Sequence, residues 1–155
     1  MANPGKRFEE DFKKSVPGNF FIYRLRDSAG AWQGGEQTRF TPSNLCDYIL
    51  FRNTLYLLEL KSTLGASIPL GNFNLKHLKK LALESEKNKV KGGVVINFRD
   101  KEKTYYLPAQ KVQDFIRSAD RKSLPIEYAE INGTLIAQTL KRTRYRYDIK
   151  GVFNE

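Results

Sequence analysis

The chain carries one cysteine, one histidine and no apolar run approaching the ~18 residues that a membrane-crossing helix needs. A lone cysteine excludes an internal disulfide framework and any zinc finger built on cysteine pairs. The first residues are charged and helix-forming, unlike an apolar secretion leader. Internal repeats, low-complexity tracts and long linkers are also missing. These absences set the expectation of one soluble domain, spanning 1–155, in a reducing, cytoplasmic compartment with no membrane partner. At 155 residues folding removes roughly 70% of the unfolded chain's accessible surface, enough for a hydrophobic core without disulfide or metal.

Acidic residues are the scarcer charges: 17 Asp plus Glu stand against 27 Lys plus Arg, a net +10. Such a field attracts polyanions, nucleic acid first. It says nothing about chemistry, and a merely basic binding module fits it equally well.

The segment from Gly5 to Val16 reads as a helix with Phe8, Phe12 and Val16 on one stripe, stopped by Pro17-Gly18. Phe20 to Leu25 reads as a strand. Residues 28–44, with Gly30, Gly34, Gly35 and Pro42, read as a long flexible loop around Trp32. Asp47 to Phe51 and Leu55 to Lys61 form a hairpin across Arg52-Asn53-Thr54. Asn72 to Lys89 has Phe73, His77, Leu78, Leu81 and Ala82 at helical spacing and is expected to end at Gly92-Gly93. Val94 to Phe98 and Thr104 to Leu107 pair as strands, Ala109 to Ala119 is a helix, and a basic tail over about 140–155 contains an extended run, Arg142 to Ile149. This order of elements makes an α/β or α+β sandwich around one mixed sheet.

In the hairpin, a three-residue loop sets Phe51 opposite Leu55, Ile49 opposite Leu57, and Asp47 opposite Glu59. Opposed residues share a face with Cβ atoms about 4.5–5.5 Å apart. Strand side chains alternate, so Lys61 lies on that face too. Two carboxylates so close repel unless a proton or cation lies between them. Hard ions such as Mg²⁺ are held by one or two carboxylates with water and phosphate oxygens, and with a nearby lysine this set suits phosphodiester hydrolysis. A surface ion pair between Glu59 and Lys61 is the plainer reading. A slip of the loop by one residue moves Asp47 to the other face.

Asp47 on one strand and Glu59-Leu60-Lys61 on the next resemble the PD-(D/E)xK nuclease superfamily. The longer succession is more specific: Gly5-Lys6-Arg7-Phe8-Glu9-Glu10, Asp47-Tyr48, Glu59-Leu60-Lys61-Ser62, Ser67-Ile68-Pro69-Leu70 and Asn72-Phe73. It resembles the RecU-type Holliday junction resolvases, particularly the shorter phage-encoded ones, over most of 5–118. The resemblance implies an α/β restriction-endonuclease-like core, a mixed β-sheet flanked by helices. It also implies a homodimer, Mg²⁺ or Mn²⁺, and paired symmetric nicks in branched, four-way DNA. Asp47 and Glu59 would be metal ligands, Lys61 would orient the attacking water, and Glu9 would support the metal, with Glu10 as fallback. Pairing of either glutamate with Lys13 or Lys14 is the plainer alternative. Cys46 stands where RecU proteins carry Thr, and His77 about where they carry Gln; a lone His between Phe73 and Leu81 reads first as a core or boundary residue.

For DNA contacts the candidates are Arg24, Arg26 and Arg39 beside the Gly-rich loop, Lys76 on the second helix, and Arg142, Arg144 and Arg146 on one face of the tail. A charged edge strand accounts for the tail arginines equally well. The reading is thus a metal-dependent nuclease for four-way junctions. A nuclease of the same fold with another DNA substrate, and a non-catalytic DNA-binding protein, are its rivals.

Overall fold

A computed structural model describes residues 3–26 and 44–155. Its first helix, α1 (Pro4–Ser15), starts where the Asn3 side chain accepts from Gly5 N at 2.9 Å and Pro4 takes the first turn, and ends at Val16, just before Pro17-Gly18. Strands β1 (Phe21–Arg24), β2 (Tyr48–Phe51) and β3 (Leu55–Thr63) follow, then β4 (Ser67–Pro69) and α2 (Leu75–Glu84). Beyond them come β5 (Val90–Phe98), β6 (Lys103–Pro108), α3 (Ala109–Ser118), β7 (Ser123–Pro125), α4 (Ile126–Asn132) and β8 (Thr134–Leu135). The chain closes with β9 (Gln138–Lys141), β10 (Arg144–Tyr147) and α5 (Ile149–Val152). No helix among the described residues is long and apolar enough to cross a membrane.

Among the described residues the main sheet has six strands in the order β1-β2-β3-β5-β6-β8. Only β3 and β5 pair in parallel; the other neighbours are antiparallel, so the sheet is mixed. Strand alternation sends Leu57, Val94, Ile96 and Leu107 to one face, beneath Leu78 and Leu81 of α2, Val112 and Phe115 of α3 and Ala129 of α4. Tyr56, Leu58, Leu60, Val95 and Tyr106 point the other way, under Phe8 and Phe12 of α1, Tyr147 of β10 and Ile149 of α5. The expected mixed sheet flanked by helices is the architecture found.

Three local expectations are corrected. Gly92 and Gly93 do not end a helix; they lie inside β5, because other groups come too close for a side chain. A Cβ on Gly92 would sit 2.8 Å from the Leu81 carbonyl oxygen, and one on Gly93 2.6 Å from that of Leu107. The second helix is shorter than 72–89, since Asn74 caps it by accepting from Lys76 N and His77 N, and Ser85 Oγ ties its end to Leu81 O and Gly92 N. The extended run expected over 142–149 is shorter, the strand β10, which pairs with β9 in a hairpin turning at Arg142 with φ 60° and is followed by a short helix.

That hairpin is fastened to α1 by side chains of the helix. Asp11, 3% exposed, accepts from Arg144 Nε at 2.7 Å and Tyr145 N at 3.2 Å, while Ser15 Oγ accepts from Tyr147 N at 2.8 Å. Asp11→Ala strands a buried N–H and a guanidinium, and is expected to cost about 2 kcal/mol. Denaturant unfolding together with faster amide exchange at Tyr145 is the check; unchanged exchange there would show that the carboxylate does not hold the hairpin.

Candidate active site

The β2–β3 register pairs Phe51 with Leu55, Ile49 with Leu57 and Tyr48 with Leu58, as the three-residue loop requires. Asp47 stands one residue beyond the paired strand. Its N–H donates to Leu58 O at 2.9 Å and its Oδ2 accepts from Leu60 N at 2.8 Å, so the carboxylate replaces a ladder partner and is held against β3.

Glu59 shares the Leu57 face, under α2, and is only 7% exposed. Its Oε1 lies 3.3 Å from Lys61 Nζ. Its Oε2 is buried with no hydrogen-bond partner among the described residues. Burial pushes the Glu59 carboxyl above its ordinary range and the Asp47 charge pushes it further, while Lys61 and the imidazole of His77 act against both. His77, on the first turn of α2, is therefore within electrostatic reach of the site. The sequence reads it first as a core or boundary residue that could face the site, and its helical spacing from Leu81 does not point to Glu59. Cys46 Sγ donates to Tyr48 O at 3.4 Å; burial, then Asp47, pushes its pKa up to about 12, so it stays a thiol.

Glu9 stands apart, its Oε1 3.2 Å from Arg24 Nε, and Arg24 also donates to Leu25 O. Together with Tyr48, whose hydroxyl burial and then Glu9 push up to about 12, they line a cleft that includes Lys6, Glu10 and Lys13. Glu10 reaches Arg144 Nη2 at 3.2 Å. Both glutamates thus find arginines off the helix as partners. Among the described residues no group of three or more His, Cys, Asp or Glu is gathered to hold a metal, and the partner that Glu9 faces here is Arg24. The pair still fits a hard divalent ion: two carboxylates, one with a buried oxygen that lacks a partner, are what such ions take alongside water and phosphate.

Of the basic candidates, Arg26, Lys76 and Arg142 are exposed. Arg146 is partly buried on β10, with Nη1 on Tyr145 O at 2.8 Å, and Arg144 is engaged by Asp11 and Glu10. Arg39 and Trp32, with most of the Gly-rich loop, lie outside the described residues.

No curated protein matches the chain. Among solved structures that match is the Hjc Holliday junction resolvase of Archaeoglobus fulgidus, at a TM-score of 0.52 and 14% identity, covering 84% of this chain and 95% of that one. At that identity the likeness is one of fold, the restriction-endonuclease-like arrangement of a mixed sheet between helices. A family model described as Recombination protein U matches residues 13–147, which takes in β2, β3 and the C-terminal hairpin, and the chain belongs to the RecU family.

Proposed function

We propose that the chain is a metal-dependent endonuclease that resolves four-way DNA junctions by paired nicks, acting as a homodimer because two cuts must be placed symmetrically. The observation that carries this reading is the buried Glu59 Oε2, without a partner among the described residues, beside Asp47 and Lys61. Family membership and the fold shared with a junction resolvase support the choice of substrate.

On this reading Asp47 and Glu59 hold Mg²⁺ or Mn²⁺, whose chemistry when bound is to lower the pKa of a water and to neutralise charge growing on a phosphate. The Leu60 N–H fixes the Asp47 carboxylate, so that donor needs little reorganisation. Lys61, held at Glu59 Oε1, orients the attacking water and offers positive charge to a phosphate oxygen. The water oxygen bonds to phosphorus as the bond to the leaving sugar oxygen breaks. Glu9 acts from outside this set by holding Arg24 beside Tyr48. Arg24, Arg26, Arg39, Lys76, Arg142 and Arg146 neutralise phosphates of the branched DNA, whereas Arg144 chiefly fastens the hairpin to α1.

The test is a synthetic four-way junction beside a matching linear duplex, with Mg²⁺ or with EDTA. Paired nicks on the junction alone, abolished by EDTA, are expected, and Lys61→Ala should lower the single-turnover rate about 10²-fold. Equal cutting of the duplex would point to a nuclease with another substrate. Binding without cutting would leave a non-catalytic DNA-binding protein.

A further inference from the structure

A second cleft, of about 150 Å³, opens on the α1 face of the sheet, between α1, the turn after β5 and the β9–β10 hairpin. Arg7 and Arg99 stand on its walls with Asn97, Gln138 and Tyr145, over the rings of Phe8 and Tyr147. Among the described residues each arginine is anchored once: Arg7 Nη2 donates to Thr143 O, and Arg99 Nη1 donates to Ser62 Oγ at 3.1 Å. A guanidinium carries five N–H donors, so most of both forks have no protein acceptor among the described residues.

We propose that this cleft is a phosphate-binding subsite for the DNA strand, gripped by the Arg7 and Arg99 guanidiniums. The assignment rests on the DNA reading above.

Three observations carry it. The acid in the cleft wall, Asp11, is already neutralised: its Oδ1 accepts from Arg144 Nε and its Oδ2 from Tyr145 N, so it does not compete for Arg7 or Arg99. Arg99 is held by a polar chain rather than left on a loose stem. Ser62 Oγ donates to Asn97 Oδ1 at 3.1 Å, Asn97 Nδ2 to Thr104 Oγ1 at 2.9 Å, and Thr104 Oγ1 to Gln138 Oε1 at 2.7 Å. With Oε1 so used, Gln138 keeps its Nε2 donors for an anion. Last comes position: Ser62 follows Lys61 along β3, and the pairs Lys61 with Ile96 and Ser62 with Asn97 put the cleft at the same end of the sheet as Glu59, on the opposite face. The cleft and the Glu59–Lys61 site thus share one end of the sheet, where a branched DNA that wraps that end offers phosphates to both faces. Planar, pre-oriented forks suit phosphate oxygens better than flexible ammonium groups.

The experiment is junction binding by the full chain at a series of salt concentrations, for wild type, Arg7→Gln, Arg99→Gln and the double variant. Lys111→Gln, an exposed change on α3, is the control. Each arginine change should reduce the slope of log affinity against log salt by about one, the double by about two, with roughly tenfold weaker binding per change near 0.15 M salt. The control should match wild type. Circular dichroism identifies folded variants, and the single changes serve if the double does not fold. Folded variants with the wild-type slope, in a protein that still binds and cuts junctions, would overturn the cleft assignment alone. A wild type that neither binds nor cuts DNA would overturn the DNA reading and the cleft with it.

Discussion

Glu59→Gln is expected to abolish junction cleavage, by about 10³-fold or more, while making the metal-free protein more stable at neutral pH. The loss follows from removing one of the two carboxylates that would hold the cation, whose charge would offset that growing on the phosphate, an effect of several kcal/mol, with each 1.36 kcal/mol a factor of ten. The gain follows from burial. The folded protein holds the Glu59 proton more tightly than the unfolded chain does, since burial and Asp47 raise its pKa. Its contribution to stability is therefore fully present below the unfolded pKa and is lost as pH rises through the folded one. Glutamine keeps the shape without the charge, so in EDTA the variant should exceed wild type by about 1 kcal/mol at pH 7 and match it near pH 4. Denaturant unfolding across that range is the measurement. A variant less stable than wild type at pH 7 would show that Glu59 and Lys61 are only a structural ion pair.

Gly93→Val should be the most damaging single change in the sheet, costing about 3 kcal/mol or more. A Cβ there meets the Leu107 carbonyl oxygen at 2.6 Å and the Tyr106 ring at 2.6 Å. Neither can give way, because the first is ladder backbone and Tyr106 packs edge-on against Tyr56 and Phe153. Widening the β5–β6 spacing would also disturb Asn97 and Thr104, the middle of the polar chain that ends at Arg99. Gly71→Val is the counterpart: nothing lies within 4 Å of a Cβ at that position, and a change within about 0.5 kcal/mol is expected. Melting curves of the two variants side by side decide the matter; equal losses would mean that crowding at the added Cβ does not govern Gly93.

The contrast between Gly93 and Asp47 shows which features a linear reading reaches. Asp47, Glu59 and Lys61 were legible because a three-residue loop and a period of two settle a hairpin's register from local spacing alone. The α1 stripe and its stop at Pro17-Gly18 were legible for the same reason. The double glycine was misread as a helix end because close approach by Leu81 and Leu107 belongs to tertiary packing, which spacing does not encode. The partners of Glu9 and Glu10 escaped in the same way: i+4 spacing pointed to Lys13 and Lys14, but Arg24 and Arg144 come from other elements. Asp11 lies three residues after Phe8, on the apolar stripe, where nothing nearby in the chain explains a carboxylate. Its explanation is Arg144, 133 residues later.

That separation has a consequence for how the protein is made. The core beneath α1 contains Phe12 against Tyr147 and Phe153, and its buried carboxylate waits for Arg144. Helix α1 is thus covered by a strand, β10, that follows it by 133 residues at the Asp11–Arg144 contact. On the ribosome the α2–α3 side of the sheet can be complete by residue 132, whereas the α1 side stays open until residues 144–153 have emerged. Emergence of residues 144–153, rather than formation of the carboxylate hairpin, is then the event that closes the α1 side, and a chain interrupted before them has its Asp47 and Glu59 hairpin but neither the α1 clamp nor the Arg7–Arg99 cleft.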